Sequence, residues 1–199
     1  YTDKKEPIPA IFRSACYYRP KYFPVIISID LIHNMDSDAK IISGGLEINP
    51  ENGIHCTTGS LGHGLPIATG MAMARKYLEL PGRIFVIISD GECQEGTTWE
   101  SLLIGAKHNL DNLVVLVDYN KIQALSRLEH ALPLDDLSAK FRAFNWESEE
   151  VFNGHAFEEI IPAFAKENQN EKPRIVILHT IKGKGIASFE NDPAWHARK

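Results

Sequence analysis

The chain has 199 residues, of which 44% are hydrophobic and 24% charged, and its formal net charge is −5. This length and composition predict one globular domain with a substantial core. No stripe of Lys and Arg indicates a nucleic-acid partner, and no apolar stretch reaches the roughly 20 residues of a membrane-spanning helix. Three widely spaced cysteines, Cys16, Cys56 and Cys93, argue against a disulfide framework. They favour a cytoplasmic protein with buried thiols over one with a catalytic thiol.

Predicted strands and helices alternate along most of the chain. Residues 1–23 show no clear period, and residues 33–53 are rich in loop-forming residues. The predicted strands are residues 24–29, 84–88, 113–117, 146–152 and 174–180. The predicted helices are a segment from residue 65 to about Leu78 and residues 97–109, 137–144 and 155–168. This alternation predicts an α/β fold in which a mostly parallel sheet is flanked by helices on both faces.

Two of the predicted strands, residues 84–88 and 113–117, are apolar at every position. Such runs are typical of parallel strands that are buried on both faces. In the predicted helix between them, Thr97 and Glu100 have the spacing of a capping box. A right-handed crossover through this helix would place the two strands side by side and pointing the same way.

Each of these two strands is followed by an oxygen ligand suited to magnesium. Asp90 follows the first strand and Asn120 the second, so both should emerge at the carboxyl edge of the sheet, where open α/β sheets bind ligands. With the carbonyl of Ile122, diphosphate oxygens and a water, they would complete the octahedral oxygen shell that Mg²⁺ prefers. Gly91 lets the backbone approach a phosphate. An Asp-Gly-Glu triplet alone is usually an ordinary turn, and the matching Asn120 makes the pattern moderately specific.

The segment before the first long helix, residues 57–64, has three glycines in its last six residues. These glycines either let the backbone approach a cofactor closely or mark the start of the helix, and the residues themselves favour neither interpretation. His63 is interpreted as a polar residue at the helix start without a role.

Five segments, in this order, resemble the transketolase family. They are Thr-Thr-Gly-Ser-Leu-Gly-His-Gly (57–64), Ser-Asp-Gly-Glu-Cys-Gln-Glu-Gly (89–96), Asp-Tyr-Asn-Lys-Ile-Gln (118–123), Ile-Lys-Gly-Lys-Gly (181–185) and Glu-Asn-Asp-Pro-Ala-Trp-His (190–196). The resemblance covers roughly residues 46–199 and is closest to the N-terminal half that forms a separate subunit in split transketolases. It implies that residues 1–199 are a single domain binding the diphosphate of thiamine diphosphate with Mg²⁺ or Ca²⁺, with residues 1–45 atypical or incomplete.

The resemblance also implies roles for individual residues. Asp90, Asn120 and the carbonyl of Ile122 would bind the metal, Gly91 the diphosphate, and Gly59 and Leu61 would line the cofactor near its aminopyrimidine. Ser89 stands where the family has glycine, which leaves the metal ligand intact.

Glu95 and His196 owe their predicted roles to the resemblance alone. Glu95 matches an acidic residue of the network that links paired active sites, and it is counted among the cofactor-binding residues. Without the resemblance it would be a solvated acid at a helix start, where the helix dipole favours negative charge. His196 matches a catalytic histidine near the diphosphate and the reacting centre, although Ala197 replaces the glycine that usually follows. A histidine near a chain end is otherwise usually a surface residue.

The resemblance fails in the first 45 residues. The histidine motifs with which the family holds substrate and shuttles protons are absent there, and residues 44–49 lack the histidine of a further motif. Either segments are missing from this sequence, which the retained cofactor ligands favour, or the protein is truncated or degenerate.

The implied function is that of the N-terminal subunit of a transketolase in the pentose phosphate pathway. It would move a two-carbon ketol unit from a ketose phosphate to an aldose phosphate. The chain ends at Lys199, so a C-terminal transketolase subunit is expected to supply the pyrimidine-binding domain, in an assembly of two chains of each kind. Two alternatives remain: another thiamine diphosphate enzyme, resembling 1-deoxyxylulose-5-phosphate synthase or a 2-oxo-acid dehydrogenase, or a non-catalytic cofactor-binding or scaffold subunit.

Overall fold

The computed structural model describes residues 25–27, 56, 59–124, 126–168 and 170–195. The strands are β1 (Val25–Ile27), β2 (Ile84–Ser89), β3 (Leu113–Tyr119), β4 (Glu147–Val151) and β5 (Arg174–His179). They form one sheet in the order β1-β2-β3-β5-β4, and all neighbouring strands run parallel. The atypical character expected of residues 1–45 lies outside the described residues, apart from the backbone of β1.

The helices are α1 (Gly64–Tyr77), α2 (Gly96–Lys107), α3 (Leu128–Ala131), α4 (Leu137–Ala143) and α5 (Phe157–Ala165), with 3₁₀ turns at Gly91–Gln94 and Pro193–Trp195. The short α3 and the two 3₁₀ turns were not predicted from the sequence. Within the described part of the chain, no helix combines the length and apolarity needed to cross a membrane.

The sheet is covered on both faces, which confirms the predicted α/β architecture. Because side chains alternate along a strand, each central strand contributes to two cores. The core on one face joins Val86, Val115 and Ile177 of the sheet to Leu65 and Ala68 of α1, Leu102 of α2 and Phe141 of α4. The core on the other face joins Ile87, Leu116 and Val176 to Ile160 and Ala163 of α5. Burial on both faces explains why β2 and β3 are apolar throughout.

The start of α2 differs from the prediction. The helix begins at Gly96, and Glu95 occupies the N-cap position without a side-chain hydrogen bond to the helix. The predicted capping box is wrong because the Thr97 hydroxyl has a tertiary acceptor: its Oγ1 donates to the carbonyl oxygen of Gly62 at 2.7 Å. Thr97 therefore joins α2 to the glycine-rich loop instead of capping its own helix.

A close approach between α2 and the start of β4 depends on Gly105. Trp146 is 2% exposed, and its Nε1 donates to the carbonyl oxygen of Leu102 at 2.8 Å. A Cβ added at Gly105 would lie 2.5 Å from Cζ2 of Trp146. The absence of a side chain at position 105 therefore lets the indole lie directly against the helix backbone.

Replacing Gly105 with Ala should lower the free energy of unfolding by about 1–3 kcal/mol, because the added methyl group overpacks the Trp146 contact. Gly70→Ala is the matched control: Gly70 also lies in a helix, but an added Cβ would meet no atom within 4 Å. That variant should be neutral or more stable by about 0.5–1 kcal/mol, since Ala has the higher helix propensity. Urea denaturation curves that coincide for the two variants would contradict this packing.

Candidate functional site

The carboxyl ends of β2 and β3 bring Asp90 and Asn120 to the same edge of the sheet. Ser89 pairs with Asp118 in the parallel register, and the backbone N–H of Asp90 donates to the carbonyl oxygen of Asp118 at 3.2 Å. Beyond this point, Asp90 Oδ2 accepts a hydrogen bond from the backbone N–H of Lys121 at 2.6 Å. The Asp90 carboxylate therefore lies against the turn that contains Asn120.

The side chain of Asn120 is held in place by two hydrogen bonds. Its Oδ1 accepts from the backbone N–H of Ile122 at 2.9 Å, and its Nδ2 donates to Asp118 Oδ2 at 3.4 Å. A carboxamide oxygen has two lone pairs, so Oδ1 can accept this bond and still face a cation. Asn120 and Ile122 are both buried, so the turn presents its oxygens from a fixed position.

Burial dominates the electrostatics of Asp90. The side chain is 2% exposed, and burial raises its pKa to about 7, against the lowering effect of the Lys121 N–H. The negative charge of Asp118 raises this pKa further, and the positive charge of Lys182 lowers it. The carboxyl group is thus close to neutralisation at physiological pH, and a cation beside it would stabilise its charged form.

A second buried carboxylate, Asp118, lies beside Asn120 at the same edge of the sheet. Burial raises its pKa, and its oxygens accept hydrogen bonds from Thr180 Oγ1 and Asn120 Nδ2. The positive charge of Lys182, which follows β5, lowers the pKa of both Asp90 and Asp118. The loop after β5 therefore brings a cation to the carboxyl edge.

Glu92 fixes the glycine-rich loop to the same edge. This side chain is fully buried; its Oε1 accepts from the backbone N–H of Gly62 at 3.1 Å and its Oε2 from that of Ser89 at 3.2 Å. Gly62 has a φ of +78°, and a Cβ added there would lie 2.7 Å from Cβ of Glu95. The glycine at position 62 is therefore required by the close contact between the loop and the start of α2.

The side of Gly91 on which a Cβ would lie is bordered by two polar atoms and one apolar atom. Its missing Cβ would lie 3.6 Å from Ser89 Oγ and 3.8 Å from both Gln123 Nε2 and Leu61 Cδ1. Leu61, which was predicted to line a cofactor, is thus brought to the glycine that was predicted to meet the diphosphate. Among the described residues, Gln123 Nε2 is buried and has no hydrogen-bond partner.

The remaining predicted site residues are exposed or lie outside the described residues. Gly59 is exposed at the outer end of the glycine-rich loop, and Glu95 is exposed at the start of α2. His196 lies outside the described residues.

Cys93 is buried, and burial raises its pKa, which agrees with a buried thiol and not a reactive thiolate.

The donor set of this edge suits a divalent ion bound together with an anionic ligand. No three His, Cys, Asp or Glu side chains cluster into a metal site within the described ranges. The predicted ligands at this edge are the carboxylate of Asp90, the carboxamide oxygen of Asn120 and the carbonyl of Ile122. Magnesium is typically held by few protein oxygens and completed by phosphate oxygens and water. The residues present therefore fit a diphosphate with its ion.

Comparison with known proteins identifies the family. Residues 25–198 match the model of the transketolase thiamine diphosphate binding domain. The chain belongs to this family. Transketolases are transferases, and the carboxyl-edge arrangement of Asp90 and Asn120 is thus found in a thiamine diphosphate-binding domain.

Two similar proteins are named as transketolase subunits. The chain is 36% identical over 179 residues to a 6-deoxy-6-sulfo-D-fructose transketolase subunit of Clostridium sp. strain MSTE9, covering 89% of this chain and 63% of that subunit. It is 36% identical over 171 residues to an apulose-4-phosphate transketolase subunit of Phocaeicola vulgatus, covering 85% of this chain and 60% of that subunit. The chain therefore spans about three fifths of the length of these relatives.

Two solved structures share the fold of this chain. Transketolase from Campylobacter jejuni superposes with a TM-score of 0.68 at 29% identity, covering 73% of this chain and 24% of that one. A putative thiamin diphosphate-dependent enzyme from Mycobacterium smegmatis superposes with a TM-score of 0.62 at 18% identity, covering 86% of this chain and 31% of that one, which shows a shared fold alone.

The raised pKa of Asp90 predicts how the ligand-free protein responds to pH. The folded protein keeps this proton up to about pH 7, whereas the unfolded chain releases it near the usual value of 3.8. Since the unfolded state binds fewer protons between these values, stability falls as the pH rises through them. Asp90→Asn removes this titration and should raise the free energy of unfolding at pH 8 by on the order of 1–4 kcal/mol. The two proteins should converge near pH 4.

Urea unfolding of the ligand-free proteins at several pH values checks this expectation. Asp111→Asn is the control, because Asp111 is half-buried and paired with Lys76 before β3. If Asp90→Asn does not flatten the dependence of the free energy of unfolding on pH, burial does not raise the pKa of Asp90 in the folded protein.

Proposed function

We propose that this chain is the diphosphate-binding subunit of a thiamine diphosphate-dependent transketolase. The observation that carries the proposal is the convergence of Asp90 and Asn120 at the ends of β2 and β3, in a chain of the transketolase family. The reaction proposed is transfer of a two-carbon ketol unit from a ketose phosphate to an aldose phosphate.

The proposed cofactor site follows from the donor set. Asp90, Asn120 and the Ile122 carbonyl would hold Mg²⁺ or Ca²⁺, Gly91 would lie against the diphosphate, and Gly59 and Leu61 would line the cofactor towards its aminopyrimidine. The bound thiamine diphosphate supplies the electron sink that lets the carbon–carbon bond beside a ketose carbonyl break. The chain's contribution is to bind and orient it.

Buried negative charge supports the proposed metal site. Asp90 and Asp118 are desolvated carboxyl groups on one edge of the sheet, and each has a raised pKa. A divalent ion at Asp90 would require its ionised form, so binding should release a proton below about pH 7 and weaken as the pH falls. Lys182, whose charge lowers the pKa of both carboxyl groups, adds positive charge at this edge.

Two further roles are proposed from the family pattern. His196 is the proposed catalytic histidine near the diphosphate, and Glu95 the proposed member of a network between paired active sites. The exposed position of Glu95 at the start of α2 is compatible with contact to another protomer. We also propose that residues 1–199 form one diphosphate-binding domain that acts in the cytoplasm, in the pentose phosphate pathway.

A partner protein forms part of the proposal. Two of the relatives are named as transketolase subunits, which supports a separate C-terminal subunit that supplies the pyrimidine-binding domain. We propose an assembly of two chains of each kind. The names of those relatives refer to a sulfonated ketose and a ketose phosphate, which favours ketoses that carry an anionic group as the substrate class here.

Substitution of the metal ligand tests the cofactor site. In the protein purified with its partner, Asp90→Ala should abolish thiamine diphosphate binding in the presence of Mg²⁺, measured by calorimetry, because the ion loses the one carboxylate of its proposed ligand set. Asp111→Ala should bind like wild type, since Asp111 lies before β3, at the opposite end of that strand. Full binding by Asp90→Ala would refute the metal assignment.

An activity assay separates the alternatives. Xylulose 5-phosphate with an aldose phosphate acceptor should be turned over, and pyruvate should not. Turnover of pyruvate would indicate another thiamine diphosphate enzyme. Cofactor binding without turnover of either would support the non-catalytic scaffold, the alternative motivated by the histidine motifs missing from residues 1–45.

A further inference from the structure

Gln123 carries a buried hydrogen-bond donor at the carboxyl edge of the sheet. Within the described part of the chain, its Nε2 is inaccessible to solvent and has no hydrogen-bond partner. Buried polar groups nearly always have partners, and leaving one without a partner costs about 1–3 kcal/mol. Three other buried side-chain atoms of the described residues also lack a partner: Arg75 Nε, Asn112 Oδ1 and Asn168 Oδ1. What sets Gln123 apart is its place beside Gly91 at the carboxyl edge of the sheet, where a ligand could supply the missing acceptor.

The position of this donor is fixed by the turn that also carries Asn120. The backbone N–H of Gln123 donates to the carbonyl oxygen of Ser126 at 2.8 Å. An antiparallel bridge between Ile122 and Arg127 closes the turn. These backbone contacts hold Gln123 directly after the carbonyl that was predicted to face the metal ion.

The donor lies beside Gly91, the glycine proposed to contact the diphosphate. Nε2 lies 3.8 Å from the Cβ position of Gly91, and Leu61 Cδ1 lies at the same distance from that position. Ser89 Oγ, the other polar group there, already accepts from the backbone N–H of Glu92 at 3.3 Å. The nearby Asp90 carboxylate accepts from the Lys121 N–H. Among the described residues, Gln123 Nε2 is thus a buried donor at the Gly91 surface without a hydrogen-bond partner.

The chemistry of the group points to an anionic acceptor. A carboxamide nitrogen can only donate, so its partner must present a lone pair. Because the carboxamide is uncharged, it can bind a phosphoryl oxygen without repelling a divalent ion bound at Asp90, as an ammonium group would. We propose that Gln123 is a cofactor-binding residue whose Nε2 donates a hydrogen bond to a diphosphate oxygen of bound thiamine diphosphate. This inference rests on the proposed function.

Two substitutions at position 123 distinguish a donor to an anion from other roles. Gln123→Met keeps the length of the side chain and removes the donor; Gln123→Glu replaces the donor by a negative charge. In the protein bound to its partner, with saturating Mg²⁺, the dissociation constant for thiamine diphosphate should rise about tenfold to a hundredfold in Gln123→Met. It should rise further in Gln123→Glu. Without ligand, Gln123→Met should unfold at the wild-type temperature or above it.

Asn170→Asp is the control for the change from carboxamide to carboxylate. Asn170 is exposed before β5, and its φ of 54° is one that both Asn and Asp tolerate. This variant should bind thiamine diphosphate like wild type.

Each other outcome is decisive. Wild-type affinity in Gln123→Met would overturn the role of Gln123 and leave the proposed function intact. Tight binding by Gln123→Glu with weak binding by Gln123→Met would show that the carboxamide oxygen is the active group, which contradicts a donor to phosphate. A marked loss of ligand-free stability in Gln123→Met would show a structural role instead. Failure of the wild-type protein to bind the cofactor would overturn the proposed function, and this inference with it.

Discussion

The hydrogen bond from the Lys121 N–H to the Asp90 carboxylate joins the ends of two neighbouring parallel strands. It forms only because β2 and β3 end in register and because a tight turn follows β3. Through it, the carboxylate at one strand end lies against the turn that carries the carboxamide after the next strand. The helices on both faces, the buried apolar strands and the loop held by Glu92 all preserve this single juxtaposition.

The two ends of the sheet bury charged side chains in different surroundings. At the amino-terminal end of β5, Arg174 is 1% exposed and donates three hydrogen bonds: to Glu149 Oε2 and to the carbonyl oxygens of Ala163 and Lys166. At the carboxyl end, Asp90 is 2% exposed and burial raises its pKa to about 7. Unpaired buried polar atoms occur at both ends among the described residues: Gln123 Nε2 at the carboxyl end, and Asn112 Oδ1 and Asn168 Oδ1 by the start of β3. Unfavourable burial of a carboxyl group such as that of Asp90 is typical of a binding site, where the ligand supplies the missing interactions.

The features that follow from hydrophobic periodicity and from the order of residues along the chain could be predicted from the sequence. Apolar runs located β2 and β3, and the residues after them could be placed at one edge because parallel strands end together. Interactions between distant segments were not predictable in this way. The Thr97 hydroxyl pairs with a loop carbonyl 35 residues away, not with its own helix. Glu92 joins Gly62 to Ser89, although local sequence marks it only as part of a turn. The contributions of Lys182 and Gln123 likewise depend on tertiary placement.

The most direct measurement is the position of a bound ion in a crystal of the protein with its partner, grown with thiamine diphosphate and Mn²⁺ in place of Mg²⁺. Anomalous scattering would locate the manganese directly. The structure predicts the peak about 2.1–2.2 Å from an Asp90 carboxylate oxygen and from Asn120 Oδ1, with the diphosphate against Gly91. A cofactor whose ion is bound to other side chains, with Asp90 and Asn120 facing only solvent or protein, would contradict the account.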